Sequence, residues 1–170
     1  MTVLYNATPL PPAGPRRYAA LAGWLLLTAV CAAFGAYASA EAGSFYLQLQ
    51  RPDWAPPAWL FGPAWSVLYL MMAVAAWRAT RSASAPGPAA AIYVVQLVAN
   101  AWWTWLFFAW RRGLLASAEI VVLWLLIVAT IAVFHRRDRV AAWLLLPYLA
   151  WVSFACALSF TIWRLNPAAL

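Results

Sequence analysis

Gln96, Asn100, Trp103 and Phe107 are spaced i, i+4, i+7 and i+11, so a helix running through them carries all four on one face. Two amides and two aromatic rings on one stripe can recognise a molecule, by bonding its polar edge and stacking on its flat face. They supply no general acid or base. Trp65, Tyr69 and Met72 form a second stripe at i, i+4 and i+7, and Tyr148, Trp151, Ala155 and Ser159 a third, with Pro147 freeing one backbone carbonyl near its start. Gln96 and Asn100 sit in strongly apolar sequence, where they can serve either interhelical hydrogen bonds, worth about 0.6–2 kcal/mol each in a membrane, or the orientation of a ligand. Spacing alone allows both. Trp65, Trp103 and Trp151 keep company with polar or small residues, as expected of a cavity wall. Trp24, Trp77, Trp110 and Trp163 fall at the ends of apolar runs, where an interfacial aromatic belt explains them.

Other chemistries find no residues. There is no glycine-rich phosphate loop, no cysteine or histidine cluster, and one histidine, His135, in the charged turn His135-Arg136-Arg137-Asp138-Arg139. Cys31 and Cys156 lie mid-span and are expected to pack as thiols; neither a disulfide nor a metal site is expected. Glu119, about one and a half turns inside an apolar run, is the one candidate intramembrane carboxylate, and is expected to snorkel to the interface. Glu41 and Asp53 belong to a loop. So few ionisable groups argue against an ion-driven transporter.

These stripes need elements to hold them. Of 170 residues, 67% are hydrophobic and 9% charged, against roughly 25% charged in soluble domains, so the chain is read as an integral, multi-pass membrane protein. At about 20 residues per span it holds five helices: Tyr18 to Ala40, Gly62 to Thr80, Ala90 to Trp110, Leu114 to Phe134 and Val140 to Trp163. Pro15, Pro63, Pro86-Gly87-Pro88 and Gly113 mark boundaries. The first run is read as a retained span rather than a removed signal peptide. The expected fold is all-α, a polytopic five-transmembrane-helix bundle: a tail at residues 1–17, a domain at 18–167, and residues 41–62 as a lid. Within that lid Arg51-Pro-Asp-Trp-Ala-Pro-Pro-Ala-Trp-Leu-Phe-Gly-Pro cannot form a continuous helix or a central strand, yet Trp54, Trp59 and Phe61 need an apolar resting place.

The net charge of +7 comes from eleven arginines, almost all at span ends, which membrane insertion explains with no nucleic acid partner. Arg16, Arg17, Arg78, Arg81, Arg136, Arg137 and Arg139 fall on one side; Arg51, Arg111, Arg112 and Arg164 fall on the other. The excess places the N-terminus in the cytoplasm and the proline/tryptophan loop outside, although Arg111-Arg112 weakens the asymmetry.

The string from Arg51 to Trp65, with Leu68-Tyr69 after it, resembles the signature loop of the TspO/MBR family, the tryptophan-rich sensory and translocator proteins. Gln96-Leu97 with Asn100, Leu106-Phe107-Phe108, Leu146-Pro-Tyr-Leu-Ala-Trp151, Phe154-Ala155 and Trp163-Arg-Leu-Asn166 agree at matching spacing, so the resemblance spans about residues 20 to 167. It implies a five-helix protein, commonly a homodimer, with a ligand pocket under the loop between the first two helices. The implied ligands are porphyrins such as protoporphyrin IX and haem, sterols in some members, and synthetic drugs; no cofactor is required, the porphyrin being ligand. Matched by motif, the pocket involves Trp65, Tyr69, Asn100, Trp103, Trp151 and Ala155, to which the stripes and the loop add Trp54, Phe107, Tyr148 and Ser159. Two departures stand out. Leu158-Ser159 replaces a common Leu-Asn, and Leu158 to Arg164 lacks the tyrosine of the cholesterol consensus, which weakens sterol binding.

The expected function is therefore binding and sensing of a flat tetrapyrrole. Light- and oxygen-dependent porphyrin breakdown at Trp65 and Trp151 is the enzymatic alternative, and porphyrin or lipid transport a third. Transport lacks the inverted repeat of the usual secondary carriers.

Overall fold

The computed structural model describes residues 15–81 and 87–170; most of the expected N-terminal tail, and Pro86 of the third boundary, lie outside them. Five helices are long and apolar enough to cross a membrane, and no strand occurs among the described residues. α1 (Pro15–Ala38) begins on a proline, whose missing donor costs nothing at a helix start. It leads through a turn to a short helix, α2 (Ala42–Gln48), which the sequence reading did not anticipate. An irregular stretch and one 3₁₀ turn, Ala58–Leu60, carry the chain into α3 (Phe61–Thr80), with Pro63 tolerated in its first turn. α4 (Gly87–Thr104) widens into a π-helical segment, Trp105–Ala109. α5 (Gly113–His135) returns, and α6 (Arg139–Leu144) and α7 (Leu146–Leu165) together form the last crossing. The expected single fifth helix breaks at Leu145, because Pro147 has no N–H for the continuing ladder.

The helices close a ring: α1 packs on α3, α3 on α6, α6 and α7 on α5, α5 on α4, and α4 on α1. The two ends of this ring are filled differently. At the end where α3 meets the 82–86 connection, Ala75, Ala76 and Ala79 of α3 are 1% exposed or less, so neighbouring helices approach closely around Tyr93 and Phe134. The Tyr93 hydroxyl pairs with Thr28 Oγ1 at 2.7 Å, which settles both buried oxygens. Trp24 meets Tyr93 edge-on and donates to Thr80 Oγ1 at 2.9 Å, so this indole fastens α1 to α3 and is more than a belt residue.

At that same end Asp138 caps α6, accepting from the N–H groups of Val140 and Ala141, and pairs with Arg78 at 3.0 Å and Arg81 at 3.4 Å. Partial burial pushes its carboxyl up, but the Ala141 N–H and the Arg78 guanidinium outweigh this and hold it below its ordinary 3.8. A depressed folded-state value means that the stabilisation is complete above the ordinary carboxylate range and disappears as pH falls through the lower native one. Asp138→Ala is expected to cost about 1–2 kcal/mol through the lost cap. In thermal melts, the gap between wild type and variant should hold at neutral pH and close only below 3.8.

At the other end, Gly113 starts α5 against Trp163. A Cβ on Gly113 would lie 2.5 Å from Trp163 Cδ1 and 2.8 Å from Leu170 Cβ, so no larger residue fits unless both the indole and Leu170 move. Trp163 is thus a packing residue as well as a belt residue. Gly113→Ala is expected to lower stability by about 1–3 kcal/mol through overpacking, read as a lower melting temperature in detergent, with Trp163→Leu restoring part of it.

Candidate functional site

The lid end of the ring is hollow. A cavity of about 540 Å³ lies beneath α2, between α1, α3, the end of α4 and the middle of α7. One wall is aromatic: Phe61, Trp65 and Tyr69 from the 3₁₀–α3 junction, Trp103 and Phe108 from α4 and its π segment, and Trp151 from α7. The facing wall is Ala32, Ala33, Gly35 and Ala36 of α1. Large rings face small side chains. Gly35 lies close to α4: a Cβ there would stand 3.4 Å from Thr104 Oγ1, an ordinary van der Waals contact. Ala33, Ala36, Gly62 and Ser66 border the cavity and are exposed, so it opens sideways between α1 and α3 past small residues.

The rings hold one another in place. Trp65 stacks on Tyr69 at 5.3 Å, Trp103 stacks on Phe107 at 5.4 Å and meets Phe108 edge-on, and Trp151 lies edge-on to Phe61 at 5.9 Å. The π segment matters here, because it closes on Trp110 N to Trp105 O at 2.8 Å and leaves consecutive Phe107 and Phe108 both in contact with Trp103. Behind the wall, Tyr69 donates to Asn100 Oδ1 at 2.7 Å, and Asn100 Nδ2 donates to the buried Tyr148 hydroxyl at 3.1 Å. That chain ties α3, α4 and α7 together and orients Tyr69. The indole N–H of Trp103 is buried without an acceptor, a free donor on a cavity-lining side chain.

The lid is anchored on three sides. Tyr46 donates to the Pro56 carbonyl at 3.0 Å, and Arg51 lies over its ring at 4.9 Å. Burial raises the Tyr46 phenol and Arg51 pulls it back in part, so the hydroxyl keeps the proton it donates. Asn166 exchanges two hydrogen bonds with the backbone of Gln50, both 2.8 Å, and so pins the loop to the end of α7. The third anchor is Phe61, which Tyr46 meets edge-on.

Set against the expected site, Trp65, Tyr69, Trp103, Trp151 and Ala155 line one cavity. Asn100 and Tyr148 stand one layer behind, and Phe107 backs Trp103. Ser159, 2% exposed with an unpartnered hydroxyl, lies outside the cavity lining. Trp54 is 50% exposed and meets Phe154 edge-on, and Trp59 is 70% exposed, so neither is enclosed by the bundle. Gln96 is buried, but both its amide atoms lack partners, so of the two amides Asn100 alone makes the interhelical bonds. Glu119 is part-exposed, with its Oε2 buried and unpartnered. The lid anchors Tyr46 and Asn166 and the alanine wall of α1 were not singled out for the site. For the wall, the regular Ala32, Ala36, Ala40 spacing was the available signal, since it reads equally well as helix packing.

Comparisons agree with this architecture. The TspO/MBR family pattern matches residues 23–164. The chain is 37% identical to the tryptophan-rich protein TspO of Chlorobaculum tepidum over 84% of its length and 92% of that protein's. It is 39% identical to the tryptophan-rich sensory protein of Cereibacter sphaeroides, again over 84% and 92%. It is 33% identical to the human translocator protein over 72% of this chain and 75% of the other.

Proposed function

The chain belongs to the TspO/MBR family, and from that membership and the cavity's shape we propose that it is a membrane-embedded binding and sensing protein for a flat, amphipathic tetrapyrrole. The observation that carries this reading is the opposition of an aromatic wall to an alanine and glycine wall. Such a slot favours a planar ligand, which stacks on indoles with one face and lies against small side chains with the other. Its volume of about 540 Å³ falls within the roughly 300–1,000 Å³ of small-molecule sites. The lateral opening between α1 and α3 suits a ligand delivered from the bilayer, and Arg51 on the lid supplies a cation for a carboxylate at the interface. The sidedness read from the arginines puts that lid outside.

The test is equilibrium titration of the detergent-solubilised protein with protoporphyrin IX, read from tryptophan emission and from the ligand's own absorbance. Saturable one-site quenching with a matching absorbance shift is expected. Non-saturating quenching, as free detergent micelles would give, sinks the reading.

A further inference from the structure

A second cavity, of about 340 Å³, lies beside the first at the lid end and shares Ala42 and Phe108 with it. Its character is different. Glu41 and Arg111 both line it, and neither forms an ion pair; the ion pairs among the described residues all go to Asp138 at the opposite end. The Arg111 backbone is held at φ 53°, a left-handed conformation that non-glycine residues rarely adopt. That turn ends the π segment, with Arg112 N–H bonded to the Leu106 carbonyl at 2.8 Å, and it sets the guanidinium 4.6 Å over the Phe45 ring. Trp105, another wall residue, has a buried indole N–H with no acceptor. One cation and one carboxylate therefore share a single cavity, with a covered, acceptor-free indole N–H in its wall.

An occupant that is only anionic meets Glu41, and one that is only cationic meets Arg111. A molecule carrying both charges satisfies both residues. Its remainder must be apolar, because the ring of Trp105 continues along α1 onto Phe34 at 5.0 Å and Tyr37 at 6.1 Å, and those two side chains are 49% and 77% exposed on the bilayer-facing surface. The end of α1 is also where a membrane-crossing helix emerges, the depth of a lipid head group. We propose that this cavity binds the head group of a zwitterionic phospholipid, with phosphate oxygens toward Arg111 and the Trp105 N–H, the ammonium toward Glu41, and an acyl chain along the Phe34, Tyr37 and Trp105 rings. The site is separate from the tetrapyrrole slot and does not depend on it.

The probe is the full chain reconstituted in nanodiscs of equal parts phosphatidylethanolamine and phosphatidylglycerol, then released into detergent and weighed by native mass spectrometry. Wild type is expected to retain the ethanolamine lipid about fivefold over the glycerol lipid, as expected of complementary charges. Glu41→Gln should reverse this preference, and Arg111→Asn, whose side chain tolerates the left-handed backbone, should lose both lipids. Trp105→Phe keeps the ring, removes the N–H and should weaken retention about threefold, in line with one lost hydrogen bond. Circular dichroism checks that each variant is folded. Equal retention of both lipids by wild type, or an unchanged ratio in Glu41→Gln and Arg111→Asn, overturns the proposal. So does displacement of the lipid by soluble phosphoethanolamine, which would make the site one for a free zwitterion.

Discussion

Replacing Trp65 and Trp151 together by alanine is expected to abolish saturable tetrapyrrole binding. The two indoles come from different helices and line the same cavity, Trp65 stacked on Tyr69 and Trp151 set edge-on to Phe61. Each ring offers a stacking face worth about 0.5–1.5 kcal/mol beyond the area it covers, and area adds roughly 25 cal/mol per Å². A joint loss of about 3 kcal/mol corresponds to more than a hundredfold in Kd. The fold should survive, because the cavity is already hollow and both side chains are only half-buried beside it. Binding is best followed in the porphyrin absorbance band, since many of the thirteen tryptophans remain to confuse emission. Trp110→Ala provides the comparison: that indole is 45% exposed and lines neither cavity, so its removal should leave Kd unchanged. A double variant that binds as wild type does would place the ligand elsewhere, whatever the family.

The stripes at 65/69, 100/103 and 151/155 were readable because helical spacing converts directly into a shared face, and because aromatic residues beside small or polar ones have no reason to face lipid. The five crossings were readable for a related reason: their apolar length is set by the bilayer, and arginines mark most of their ends. Short-range geometry was harder to see. α2 has the sequence Ala-Gly-Ser-Phe-Tyr-Leu-Gln, with no side-chain cap and too little length to show a period, so its helicity comes from packing Phe45 and Tyr46 into the bundle. The π segment has no composition of its own. Depth was the other blind spot. Position in a span suggested that Glu119 could reach water, and did not reveal that one of its two carboxylate oxygens is covered by the bundle. Trp24 and Trp163 looked interfacial by position, and yet one bonds Thr80 and the other fills the space above Gly113. A one-dimensional pattern fixes which face a residue occupies but not what lies opposite that face.

Asn100→Leu is expected to be the most damaging single change away from the cavity surface. A hydrogen bond between membrane helices averages only about 0.6 kcal/mol, so the loss of a bond alone would scarcely register. The larger cost is what stays behind. Tyr69 would keep a hydroxyl whose 2.7 Å acceptor has gone, and Tyr148, with none of its surface exposed, would keep one whose 3.1 Å donor has gone. Stranded buried hydroxyls cost about 1–3 kcal/mol each, which gives an expected destabilisation of about 2–4 kcal/mol, with weaker ligand binding as Tyr69 loses its orientation against Trp65. The same reasoning requires a rescue. In the triple variant Tyr69→Phe, Asn100→Leu and Tyr148→Phe no side-chain polar atom of that hydrogen-bonded trio is left stranded, so most of the lost stability should return. Thermal melts of the single and triple variants separate the explanations. If the triple variant is less stable than Asn100→Leu, the asparagine acts through packing volume, and the hydrogen-bond chain is not what joins α3, α4 and α7 behind the cavity.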